Sequence, residues 1–94
     1  MTRQTMGFIS VPLSIIQDKR LTAPQKILYG IIFSNMDDEG YCRMKNRDFS
    51  KILNVSTTSV LRYLAVLESY QLIRRKVILD DETDEVIERR IFIL

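Results

Sequence analysis

Histidine and tryptophan are missing from the 94-residue sequence, and cysteine occurs once, at Cys42. Without histidine the chain lacks the commonest general base near neutral pH and the commonest zinc ligand. Catalytic, cofactor-binding and metal-binding residues are therefore not expected. A single cysteine excludes an internal disulfide; between Tyr41 and Arg43 it reads as a buried structural thiol in a short strand. No apolar run approaches the roughly 20 residues that span a bilayer. The N-terminus carries no signal-peptide pattern, so no membrane partner is expected and a cytoplasmic location is the default reading.

What remains is an ordinary globular composition, 46% hydrophobic, of a length that suits one domain with one core. The net charge of +2 hides an uneven distribution. Five of the twelve acids, Asp80, Asp81, Glu82, Asp84 and Glu85, fall in one short stretch. From Arg43 to Lys76, eight lysines and arginines face only Asp48 and Glu68. A local basic field of that kind attracts phosphate even on a nearly neutral chain.

Residues 1–20 read as an N-terminal extended arm or edge strand ending near Pro12, followed by a polar corner. Residues 21–94 read as the domain. Thr22 and Gln25 have capping-box spacing with Pro24 in the first turn. Ile27, Leu28, Ile31, Ile32 and Met36 then recur at helical spacing. This helix is expected to stop within Asp37, Asp38, Glu39 and Gly40, which read as a turn rather than a calcium loop because further ligand positions are missing. Tyr41–Met44 reads as a short strand. A second helix is expected over 47–53 with Asn46 as its cap, and a third over 57–69 capped by Ser56. Two β-branched runs, Ile73–Leu79 and Val86–Leu94, form a hairpin around the acidic loop. The order is helix, strand, helix, helix, strand, loop, strand: an α+β, winged-helix arrangement.

Two helices joined by a tight turn need apolar residues at fixed offsets and a small residue at their contact. Phe49, Leu53, Val55, Val60 and Tyr63 supply the first, Ser50 the second, and Asn54 takes the turn. The run from Asn54 to Ile73 resembles the recognition helix and wing entry of bacterial winged-helix proteins. Upstream, Leu21-Thr-Ala-Pro-Gln-Lys-Ile-Leu-Tyr-Gly30 with Asp38-Glu-Gly-Tyr41 is similar to the N-terminal winged-helix (helix-turn-helix) domains of phage and plasmid replication initiators. The likeness covers roughly residues 8–94. Asn54 and Gln71 stand where those families usually have glycine, and the hairpin tip is acidic where a wing entering a minor groove is normally basic.

The resemblance implies double-stranded DNA as the partner, with the third helix in the major groove. Val60, Tyr63, Leu64 and Leu67 turn inward, leaving Thr58, Arg62, Ala65 and Ser69 outward. Arg62 is the candidate for base readout, since its fork can bond guanine O6 and N7 together. Ser56, Thr57, Thr58 and Ser59 are candidates for phosphate or base contact at the helix start. Lys45, Arg47 and Lys51 would hold register on phosphate. Arg74, Arg75, Lys76 and Arg89 would line the wing, although strand alternation forbids all the wing cations, Arg90 included, from facing one way. The acidic tip is expected to turn away from the duplex. Leu61, Val66, Phe92 and Leu94 offer apolar surface for a homodimer. The chain ends on a strand and reads as the N-terminal part of a longer protein, whose remainder would recruit replication proteins. A transcriptional repressor of the same fold, and a winged-helix protein-interaction module without DNA binding, stay open as alternatives.

Overall fold

The computed structural model describes residues 7–94, which form α1 (Leu13–Ile16), α2 (Ala23–Ser34), α3 (Asn46–Leu53), α4 (Thr57–Ser69), β1 (Ile73–Leu79) and β2 (Val86–Ile93). The start of the expected arm, residues 1–6, lies outside the described residues. From Phe8 to Pro12 the chain joins no sheet. It crosses α2 at Gly30, where an added Cβ would stand 2.4 Å from Val11 Cγ2. Only a glycine admits the arm this closely. Ser34 Oγ fastens the crossing by accepting from Ser10 N at 2.8 Å. Leu13–Ile16 then makes one helical turn, where the sequence reading has no helix. Ile15 is thereby buried in the main core.

Helix α2 starts as expected, with Gln25 Oε1 accepting from Thr22 N at 2.9 Å. It ends at Ser34, before the acidic turn, because Asn35 Nδ2 donates to the Ile31 carbonyl and Asn35 leaves helical geometry. Met36 therefore packs against the core from outside the helix, and Ile27 is exposed rather than part of the stripe. In the turn, the Asp37 carboxylate accepts from Glu39 N and Tyr41 N.

The expected strand at Tyr41–Met44 is only a single bridge, Cys42 with Ile91, bonded in both directions at 2.8 and 2.9 Å. It goes no further because α3 begins almost at once. Asp48 Oδ2 accepts from Lys45 N, so Lys45 rather than Asn46 is the N-cap and Asn46 is already helical. Helix α4 has the expected bounds, capped by Ser56 Oγ, which accepts from Ser59 N at 3.1 Å.

Leu28, Ile31, Ile32, Phe49, Val60, Leu64, Leu67, Ile73 and Cys42 form the centre of one core shared by the helices and the hairpin base. Cys42 is free and fully buried, and burial pushes its thiol pKa up. Both turns that lack glycine nevertheless adopt left-handed backbone, Asn54 at φ 57° and Gln71 at φ 61°. Asparagine tolerates this region and glutamine does not. Gln71→Gly is therefore expected to stabilise the fold by about 1 kcal/mol or less, strain relief being offset partly by glycine's unfolded-state entropy. Urea denaturation would measure it.

Candidate nucleic-acid interface

The α3–α4 corner is built from short-range chemistry. Ser50 Oγ donates to the Val55 carbonyl at 2.5 Å, and Val55 N donates to the Ser50 carbonyl at 3.1 Å. The small side chain thus fits the helix contact and also laces the turn. Phe49, fully buried, and the partly buried Leu53, Val55 and Tyr63 fill the angle between the helices.

This corner holds α4 with Thr57, Thr58, Leu61, Arg62, Ala65 and Ser69 exposed. Ser56, Ser59 and Arg62 form a polar chain along the first turns: Ser56 Oγ lies 3.2 Å from Ser59 Oγ, and Arg62 Nη2 donates to Ser59 Oγ at 3.2 Å. The guanidinium is drawn toward the helix N-terminus, where unbonded N–H groups favour anions. No acid occupies the first turn of α4.

Lys45 at the cap of α3 and Arg47 and Lys51 on it are exposed, the last two one turn apart on the same face. Among the described residues, none of these three forms an ion pair; nor do Arg62, Lys76 and Arg89. The nearby acids are already engaged. Asp48 caps α3. Glu68 holds Arg75 through two side-chain bonds, at 3.0 and 2.8 Å, and accepts from Arg75 N as well.

Arg75 is consequently folded back onto α4 and ties the wing to that helix. The register of Ile73 with Ile93 through Ile78 with Glu88 places Arg75 and Arg89 on the α4 side of the hairpin and Arg74, Lys76 and Arg90 on the other. Arg74 lies over the Phe92 ring at 5.3 Å. Arg90 bonds Glu88 at 2.7 Å and lies over Tyr41 at 4.5 Å. A groove of about 470 Å³ runs between α4 and the hairpin, lined in part by Asn46, Leu61, Lys76 and Arg89. Asn46 and Leu61 were not assigned to the site from sequence. From spacing alone Asn46 reads as a cap, and Leu61 as apolar dimer surface.

Arg43 is a cation that charge counting credits to the interface and the structure removes. It contacts Glu39, and its Nε stands 3.0 Å from both Asp37 Oδ2 and Glu88 Oε2. This cluster joins the acidic turn to β2. Of the apolar residues expected at a dimer surface, Leu61 and Leu94 are exposed, while Val66 and Phe92 are partly covered. Tyr41 packs on Phe92 with ring centroids 5.3 Å apart.

Three carboxyls are held below their ordinary range. Hydrogen bonds from Arg20 bring Asp18 to about 2. At Glu68, burial pushes upward, but the bonds and charge of Arg75 outweigh it. Asp80 is lowered by the backbone N–H groups of Glu82 and Thr83. A lowered folded pKa contributes stability above the unfolded value and loses it as pH falls through the folded value. Melting temperature is therefore expected to hold above about pH 5 and to fall from about pH 4 downward. Glu68→Gln should flatten part of that fall in circular-dichroism melts.

A family model described as a helix-turn-helix domain matches residues 19–73. Among solved structures, the chain is similar to one described as a Rep–DNA complex, with TM-score 0.65, 19% identity, and coverage of 100% of this chain and 82% of that one. It is equally similar to one described as the N-terminal domain of a DNA-binding protein, with TM-score 0.66, 19% identity, and coverage of 100% and 81%. No curated protein sequence matches.

Proposed function

The chain belongs to this helix-turn-helix domain family, and from that premise we propose that it binds double-stranded DNA sequence-specifically, with α4 in the major groove. The observation that carries this reading is the distribution of unpaired charge. Arg62 on α4, Lys45, Arg47 and Lys51 around α3, and Arg89 on the α4 side of the hairpin have no acidic partner among the described residues. Cations left free beside an exposed helix N-terminus suit a phosphate backbone. In this arrangement Arg62 reads base edges, Thr57 and Thr58 reach phosphate or bases, and α3 crosses the backbone. Arg75 acts by fixing the angle of the wing.

The role we propose is recognition of a phage or plasmid replication origin, a reading supported by the likeness to the protein of the Rep–DNA complex. The acidic tip favours a second reading, a protein-docking winged helix. Fluorescence anisotropy separates the two, using a labelled duplex just long enough for one copy. DNA binding predicts affinity that falls with salt, by about one logarithmic unit per phosphate contact for each tenfold rise in salt. An origin duplex should outcompete a scrambled one. Neutralising Asp81, Glu82, Asp84 and Glu85 should leave affinity unchanged or raise it, because these carboxylates repel phosphate. Absence of binding at low salt would select protein docking, and a marked loss on neutralisation would refute the outward-turned tip.

A further inference from the structure

The outer edge of β1 is unpaired, since the sheet consists of β1 and β2 only among the described residues. Which backbone groups face that edge follows from Glu68. Its carboxylate accepts from Arg75 N at 3.2 Å while Glu68 itself sits on α4, so Arg75 N–H points away from β2. In an antiparallel ladder the N–H and C=O of one residue point the same way and alternate along the strand. Val77 and Leu79 therefore present their backbone groups outward as well. The irregularity near the tip makes Ile87 the extra residue on β2 and leaves β1 regular. Val77 and Leu79 are also 50% and 47% exposed, so this edge offers both hydrogen bonds and apolar surface.

The sequence through β1 and into the turn that follows it runs Arg74-Arg75-Lys76, Val77-Ile78-Leu79, Asp80-Asp81-Glu82, with the strand ending at Leu79. Three cations, three apolar residues and three acids lie in inverse order about Ile78. An antiparallel β1 from a second copy, centred on Ile78, brings the basic half of each strand beside the acidic turn of the other. We propose that β1 pairs with β1 of a second copy of this chain in that register. Val77 and the second copy's Leu79 exchange backbone hydrogen bonds, and Leu79 does so with the second copy's Val77. Their side chains form one apolar cluster on the α4 side of the joined sheet. Beyond it, Lys76 and Arg74 approach the acidic turn of the second copy, while the Arg75 side chain stays with Glu68. Arg75 N–H is not needed in this register, so its bond to Glu68 persists. The acidic tip is thus a docking element for the basic half of another wing, independently of whether the chain binds DNA.

Sedimentation equilibrium of the 94-residue chain at low salt tests this. A concentration-dependent rise from 11.0 kDa toward twice that mass is expected, weakening as salt screens the pairs. Val77→Pro removes one outward N–H without breaking the ladder to β2, and should weaken self-association at least about tenfold while the circular-dichroism spectrum holds. Arg74→Glu and Glu82→Arg should each weaken it about tenfold by bringing like charges together where the basic half of one strand meets the acidic turn of the other. An equimolar mixture of those two should restore it, because both pairs across the axis become complementary. A parent chain that stays monomeric at about 1 mM, the weak end of specific affinities, overturns the proposal. So does a dimer that survives Val77→Pro or gains nothing from mixing. If Val77→Pro fails to fold, the charge-reversal pair decides alone.

Discussion

Phe49→Ala is expected to destabilise the domain by about 3–5 kcal/mol, a loss comparable to much of the about 5–15 kcal/mol that holds a small protein folded. Phe49 has no exposed surface and lies in the core cluster with Leu28, Val60 and Leu64. It is also the apolar residue that α3 buries, beside the Ser50–Val55 lacing. A cavity there removes contacts from both helices at once, and the turn between them cannot collapse to fill it. Urea denaturation would show the midpoint fall with little change in slope. Phe33→Ala supplies the contrast. That ring is 43% exposed and, among the described residues, stacks on Tyr29 alone, with centroids 6.5 Å apart, so its removal should cost about 1 kcal/mol or less. Equal losses at the two positions would contradict the placement of the core.

The second large effect belongs to binding. Arg62→Ala is expected to abolish preference for the origin duplex, lowering specific affinity by about 1–3 kcal/mol while non-specific affinity falls far less. The ground is the exposed guanidinium, which has no acidic partner among the described residues and is steadied by Ser59 at 3.2 Å. Arg62→Lys should not rescue the preference, because an ammonium lacks the planar fork that a guanine edge requires. Lys51→Ala should instead weaken every duplex alike and reduce the salt slope by about one. An Arg62→Ala protein that kept its preference would move base readout elsewhere, to Thr58 or the groove residues Asn46 and Leu61.

The helices that carry the site were largely legible in the sequence. Helix α4 begins and ends where Ser56 and the inner stripe placed it, and the hairpin strands match to within one residue. The discrepancies have local causes that propensity does not resolve. Asn35 ends α2 early by bonding back to Ile31, and Asp48 starts α3 at Lys45 by reaching back three residues. Gln71 holds a left-handed backbone that its type disfavours, because packing of Leu72 and Ile73 on the core compensates for the strain.

By itself the sequence determined the α+β class, the order α2, α3, α4 and hairpin, the α3–α4 corner and the inward stripe of α4. Each depends on residues within a turn or two of one another, so spacing and capping suffice. Only the tertiary structure decided which cations are available. Arg43, Arg75 and Arg90 look equivalent to Arg62 and Arg89 along the chain, yet the first three are held by Glu88, Glu68 and Glu88, and the others have no acidic partner among the described residues. Arg43 meets Glu88 only because the Cys42–Ile91 bridge lays the two segments side by side. Pairing between charges falls off with distance in space, and distance in space between remote residues is set by the fold.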